Sequence, residues 1–278
     1  MQLSVTSDFV DSHDDPVPYL HEIRSAGFTR VHFCHEWDSD HIYPPDRIAA
    51  IRNEMIDLGM SSDIVHASEG QQIGWGLDDP TARDAGIDLV KNRIDLAVEL
   101  GADTIVLHAR AHHSEARQKE SLGALLPYAD SAGVTIALEN LPKDGFSRVF
   151  PLLDEFQSDV LGFCFDSGHA ALNRAHGFDD FADAERRGDR LAALHLHDND
   201  GASDQHRLPF TGVVDWDRIA RMIAASPFAG CLTLEVMLRN ESHADHASFL
   251  AAAREAGRKL DEMVAASLGS APDAGGGR

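Results

Sequence analysis

The sequence predicts an α/β fold, a single closed (β/α)8 barrel, on two observations. Short apolar runs recur eight times, at 2–6, 30–34, 62–66, 104–108, 134–138, 161–165, 191–196 and 231–235. They are nearly continuous rather than alternating, as in parallel strands covered on both faces. Helix-forming stretches fill every gap, which favours a closed barrel over an open sheet. The 278 residues suit one barrel, which takes about 250.

Each element has a local reason. Four times an amphipathic stretch ends on glycine and an apolar run follows: SAGFTRVHF (25–33), DLGMSSDIV (57–65), ELGADTIVL (99–107) and SAGVTIAL (131–138). Gly27, Gly59, Gly101 and Gly133 thus fall where a helix end needs a left-handed residue. Ile48, Ile51, Met55 and Leu58 recur at helical spacing, as do Ile87, Val90, Ile94 and Ala97. Asp79-Pro80 reads as a cap and first turn. Val214-Asp215-Trp216 introduces a helix at 215–225, and a last helix runs over 244–267. The barrel is expected to span 1–268 without an internal boundary. The Gly/Ala/Pro-rich tail GSAPDAGGGR (269–278) is expected to be disordered.

Composition narrows the partners. Asp and Glu number 46 against 24 Lys and Arg, a net charge of −22. Phosphate neutralisation needs Lys and Arg, so neither nucleic acid nor an anionic membrane surface is an expected partner. No apolar run reaches membrane-spanning length. The start, MQLSVTSDF, lacks a basic flank before an apolar core, so a cytoplasmic protein is expected. Cys34, Cys164 and Cys231 lie in strand-like runs and read as buried free thiols.

Chemistry in such a barrel gathers at the C-terminal strand ends. Here those ends carry His35-Glu36, His66, His108, Glu139, Asp166 with His169, His195 with His197, and Glu235. In FDSGHA (165–170) an aspartate precedes a histidine by three residues and can aim with it at one ion, or simply cap a helix. In LHLHDND (194–200), His195 and His197 share a face because strand side chains alternate. ALENLP (137–142) and LTLEVM (232–237) each set a glutamate directly after apolar residues, and glutamate is rarely buried unless paired or metal-bound. His66 and His108 read nearly as well as core histidines. Asp204 and His206 lie in the loop SDQHRLP (203–209). His112, His113, His176, His243 and His246 are expected on the solvated surface.

The motifs ALEN, DSGH, HLHDND with a downstream DQH, and LTLEV together resemble the xylose-isomerase-like TIM barrels, the sugar-phosphate isomerase and epimerase group, up to about residue 265. The resemblance implies one divalent ion, Mn²⁺, Mg²⁺, Co²⁺ or Zn²⁺, held by Glu139, Asp166, His195 and Glu235. It places His66 and His108 against substrate; His169, His197, Asp204, His206 and Arg207 are further substrate-binding candidates. The family's Gly-x-Gly turn is replaced here by HRLPFTGVVDW (206–216), with Phe210 at the first glycine. The type IV apurinic endonucleases of the same superfamily use three zinc ions. Their ligands match His66, His108, Glu139, Asp166, His169, His195, Asp204, His206 and Glu235, so a zinc cluster stays open. The cations near the candidate loops, Arg110, Lys143, Arg174, Arg207 and Arg239, are too scattered to hold DNA.

The expected activity is therefore a metal-dependent isomerase or epimerase acting on a small carbohydrate-like substrate, a sugar, sugar phosphate or keto acid. The ion would stabilise an enediolate while Glu139 and Glu235 trade the proton. The alternatives are a dehydratase or lyase on a polyol or keto acid, and a zinc-dependent endonuclease-type phosphodiesterase. A homo-oligomer is left open.

Overall fold

Each apolar run folds as a strand within one residue of its expected bounds in the computed structural model, which describes residues 1–11, 14–67, 70 and 72–269. The strands are β1 (Leu3–Thr6), β2 (Arg30–Phe33), β3 (Ser61–His66), β4 (Thr104–His108), β5 (Thr135–Glu139), β6 (Leu161–Asp166), β7 (Leu191–His195) and β8 (Leu232–Leu234). All pairings are parallel and run in the order β7-β6-β5-β4-β3-β2-β1-β8. A parallel bridge between Leu196 and Leu234 joins the two ends and closes the ring.

The helices are α1 (Val17–Ser25), α2 (Pro45–Asp57), α3 (Pro80–Leu100), α4 (Glu115–Ala132), α5 (Val149–Phe156), α6 (Ser167–Asn173), α7 (Asp180–Arg186), α8 (Trp216–Ala225) and α9 (His246–Gly269). Asp79 caps α3 by accepting from the Ala82 N–H at 2.8 Å. Gly101 and Gly133 end α3 and α4 in the left-handed region, at φ +80° and +68°. None of the helices is long and apolar enough to cross a membrane, among the described residues. The tail at 270–278 lies outside those residues.

The barrel's bore explains where the chemistry sits. Ile64, Val106, Ala137, Cys164 and Ala193, one from each of β3 to β7, form a small apolar layer apart from the main core. Two residues further along every one of these strands, on the same face, stand His66, His108, Glu139, Asp166 and His195. The apolar layer is thus a floor, and the polar layer is its mouth. All three cysteines are buried and free, as expected.

Two departures concern histidines. His113, expected in solvent, is buried because its ring packs against Gly76, where a Cβ would lie 2.5 Å from Nδ1. His243 and His246 are half-buried, and His246 pairs with Glu22 at 2.6 Å and meets the Phe9 ring edge-on.

One buried acid ties the loops behind the mouth. Asp180 Oδ2 accepts from the amides of Asn140 (2.9 Å) and Asn173 (2.7 Å), while its Oδ1 has no hydrogen-bond partner. Burial pushes its carboxyl from 3.8 up to about 6. The folded chain therefore holds this proton more tightly than the unfolded chain. Its stabilising contribution is complete below the unfolded value and is lost as pH rises through about 6, about 3 kcal/mol in all. Asp180→Asn should remove that dependence, read as urea midpoints of both proteins at each end of the window. Parallel midpoints for variant and wild type would reject it.

Candidate active site

Glu139 stands at the centre of the mouth. Its Oε2 lies 2.8 Å from His108 Nε2 and 3.8 Å from His66 Nε2, and its Oε1 lies 3.0 Å from His195 Nδ1. Glu235 Oε2 approaches the same His195 nitrogen at 3.1 Å, and Asp166 Oδ2 stands 4.0 Å from it. One donor atom from each of Glu139, Asp166, His195 and Glu235 lies within 4.8 Å of all the others. Four consecutive strand ends, β5 to β8, supply this set.

Three carboxylates buried around one imidazole call for positive charge at the centre. Burial pushes Glu139 up, but His195 and His108 outweigh it and hold the carboxyl well below its usual range. Glu235 is held low in the same way, chiefly by His195 against burial. His195 itself is raised well above its ordinary value, since its polar and anionic neighbours, Cys164, Glu235 and Glu139 among them, outweigh burial. Three carboxylate oxygens and one imidazole nitrogen drawn together in this way fit a divalent ion. By contrast burial, aided by His108, lowers His66 to about 3. His66 Nδ1 faces its neighbour's carbonyl at Ala67 (3.3 Å), which leaves Nε2 as the acceptor aimed inward.

The DSGH motif makes the cap, while its aspartate and histidine join different donor groups. Asp166 caps α6 by accepting from the His169 N–H at 2.7 Å, and its other oxygen faces His197 Nε2 at 3.0 Å. A Cβ on Gly168 would come within 2.0 Å of the His197 ring, so only glycine fits between Ser167 and His169. The asparagine of ALEN locks the strand ends: Asn140 accepts from the Asp166 N–H (2.7 Å) and donates to its carbonyl (3.0 Å).

A second group lies nearer the rim, where His169, His197, Asp204 and His206 also place donor atoms within 4.8 Å of one another. Asp204 Oδ2 sits 3.0 Å from His169 Nε2 and 3.3 Å from His206 Nε2. The His197 and His206 rings stack at 4.1 Å. Burial opposes it, but hydrogen bonding to Asp204 raises His206 to about 9. A third group, His66, Glu139 and His195, shares members with the first.

The loop after β7 is built on Asp198. Its backbone pairs with Arg207 in both directions (2.8 and 2.9 Å), and its carboxylate accepts from the N–H groups of Asn199 and Val214 and from the Trp216 indole. Phe210, which stands where the glycine was expected, takes the left-handed backbone at φ +72°. Such a conformation costs a bulky residue about 1–2 kcal/mol. Contacts with Trp216 (5.2 Å) and the Lys259 ammonium, 3.7 Å above the ring, offset that cost.

Not every expected residue joins the mouth. The Arg207 guanidinium faces Glu241 at 3.7 Å. His35-Glu36 leaves the donor ring because the chain turns there, with Glu36 at φ +55°; His35 Nδ1 sits 2.8 Å from the Ser7 hydroxyl. Two residues escaped the sequence reading. Trp37 walls one side, 4.7 Å from the His66 ring and 5.4 Å from His108. His32 lies deeper, its ring stacked 4.7 Å from that of His195. Its inward register two places before Cys34 was the available signal.

Residues 20–256 match the family model described as the xylose isomerase-like TIM barrel. The chain is similar to an uncharacterized protein, y4fM, of Sinorhizobium fredii, at 32% identity over 87% of this chain and 88% of the relative. It is similar to a probable endonuclease 4 of Oceanobacillus iheyensis, at 30% identity over 54% of this chain and 56% of the relative. A fructoselysine 3-epimerase of Shigella flexneri shares 27% identity over 61% of this chain and 65% of its own length. A solved L-ribulose 3-epimerase superposes with a TM-score of 0.78 at 18% identity, over 98% of this chain and 99% of the other. The chain belongs to the xylose isomerase-like TIM-barrel family.

Proposed function

We propose that this protein is a divalent-metal-dependent epimerase or isomerase of a small sugar or keto acid bearing a carbonyl beside a hydroxylated carbon. The observation that carries the reading is the pair Glu139 and Glu235, reaching one His195 nitrogen from β5 and β8 at 3.0 and 3.1 Å. The likeness to a fructoselysine 3-epimerase supports it. Glu139, Asp166, His195 and Glu235 would hold the ion, whose Lewis acidity favours negative charge on the substrate's oxygens.

The chain's own groups do the rest. Both glutamates are held ionised, so either is ready to accept a proton from the carbon beside the carbonyl. The other glutamate, having taken a proton from solvent, delivers it on the opposite face and inverts that carbon, while delivery to the neighbouring carbon isomerises the sugar. His66 Nε2 offers an acceptor to a substrate hydroxyl, and Trp37 offers an apolar wall for the C–H face.

The test is turnover of a panel of ketoses and keto acids in D₂O with metal-loaded protein. Deuterium should enter at the carbon beside the carbonyl as the epimer or isomer forms. Turnover without uptake would replace proton transfer by a hydride shift, and no turnover on the whole panel would overturn the reading.

One observation favours a second reading. Eight of the nine positions that match the endonuclease zinc ligands fall into the three adjoining donor groups, and the ninth, His108, lies 2.8 Å from Glu139 Oε2. Against it stands a net charge of −22, unsuited to holding a polyanion. The protein is therefore expected neither to bind duplex DNA at physiological salt nor to incise an abasic-site oligonucleotide. Metal-dependent incision at enzyme-like rates would establish the phosphodiesterase instead.

A further inference from the structure

We propose that the strand β2 side of the barrel builds an additional metal site from His32, Cys34 and Glu235, suited to a thiolate-seeking divalent ion such as Zn²⁺ or Co²⁺. One donor atom of each of the three lies within 4.8 Å of the other two. His32 and Cys34 are two residues apart on β2 and its continuation, so both face the bore.

His32 supplies an independent observation. It is fully buried, and neither of its ring nitrogens has a hydrogen-bond partner. Leaving a buried polar group unsatisfied is costly, and coordination would satisfy one of the two nitrogens. Stacking on His195, with 26° between the ring planes, fixes the imidazole so that only its edge is free to bind. Cys34 is 2% exposed, and its backbone N–H is fixed by the Ser7 hydroxyl at 3.0 Å. The site is therefore rigid on the protein's side.

Charge also favours a second ion. Glu139, Asp166 and Glu235 carry three negative charges, so one divalent ion leaves the bore at about −1. Binding at Cys34 forms a sulfur–metal bond and sends the thiol proton to solvent. The new thiolate and the second ion then bring the total to about zero. A thiolate prefers Zn²⁺ or Co²⁺ to Mg²⁺, so the two sites should differ in selectivity. Glu235 has two oxygens and can serve both.

Cobalt titration of the whole protein tests the site. Wild type should develop a near-ultraviolet thiolate-to-cobalt charge-transfer band and bind one equivalent more than Cys34→Ser. Cys34→Ser should lose the band and keep the ion at the Glu139 group. His32→Gln serves as the second variant, with the same expected loss and with circular dichroism to show that it folds. No band in wild type, a band surviving in Cys34→Ser, or equal equivalents in both would overturn the site. The band reports β2 donors whether or not any sugar is turned over, so this site and the epimerase reading fail separately.

Discussion

Glu139→Gln and Glu235→Gln should each cut turnover by about 10²–10⁴-fold, the usual share of general acid–base catalysis, while retaining much of the bound metal. Glutamine keeps a carbonyl oxygen that can touch an ion, but it cannot take up a proton at neutral pH. Burial alone would favour the protonated form of both glutamates. The histidines around them hold both carboxyls ionised. Asp166→Asn and His195→Ala should behave differently and lose metal and activity together. His195 is the point on which Glu139, Glu235 and Asp166 all converge, at 3.0, 3.1 and 4.0 Å. Metal content measured beside kcat and deuterium uptake separates the two patterns. Near-wild-type turnover in both glutamine variants would reject the two-glutamate mechanism.

Asp198→Ala should cost the fold about 3–5 kcal/mol, because it strands three buried donors at once. The backbone N–H groups of Asn199 and Val214 and the Trp216 indole lose their acceptor together, at distances now of 2.9, 3.1 and 2.9 Å. Asp198 is fully buried, away from bulk solvent. Thermal unfolding should fall by on the order of 10 °C. Asp198→Asn keeps one acceptor oxygen and should lose less. A loss below about 1 kcal/mol in the alanine variant would show that this loop is held by something else.

The strands were legible because parallel strands buried on both faces leave continuous apolar runs, and the strand-end donors because period two carries the bore's polarity to the mouth. Asp166 illustrates how far such reading goes. It caps its helix and stands with Glu139, His195 and Glu235, whereas His169, which the motif pairs with it, turns to Asp204 in the rim group. His32 was missed because a histidine inside RVHFC looks like any strand residue until the bore is assembled around it. Trp37 had no local signal. Its loop is placed by Arg93 of α3, which donates to the carbonyls of Glu36 (3.3 Å) and His41 (2.9 Å) and lies over the Tyr43 ring. Contacts between residues fifty or more positions apart leave no trace in a sequence window.

That arginine is one of several buried side chains that hold mouth loops from behind. Gln118 donates to the Arg110 carbonyl (3.1 Å), Asn173 donates to Leu141 (3.0 Å) and accepts from the Lys143 N–H (2.6 Å), and Asp198 gathers the turn around Phe210. The consequence is calorimetric. Segments that fold around a ligand bury on the order of 1,000–3,000 Å² and show it as a large negative heat-capacity change. These four loops are held by the chain's own buried groups. Titration with a small polar ligand should therefore show only the modest heat-capacity change of the area the ligand itself covers, and little of its binding enthalpy should be consumed in ordering the chain.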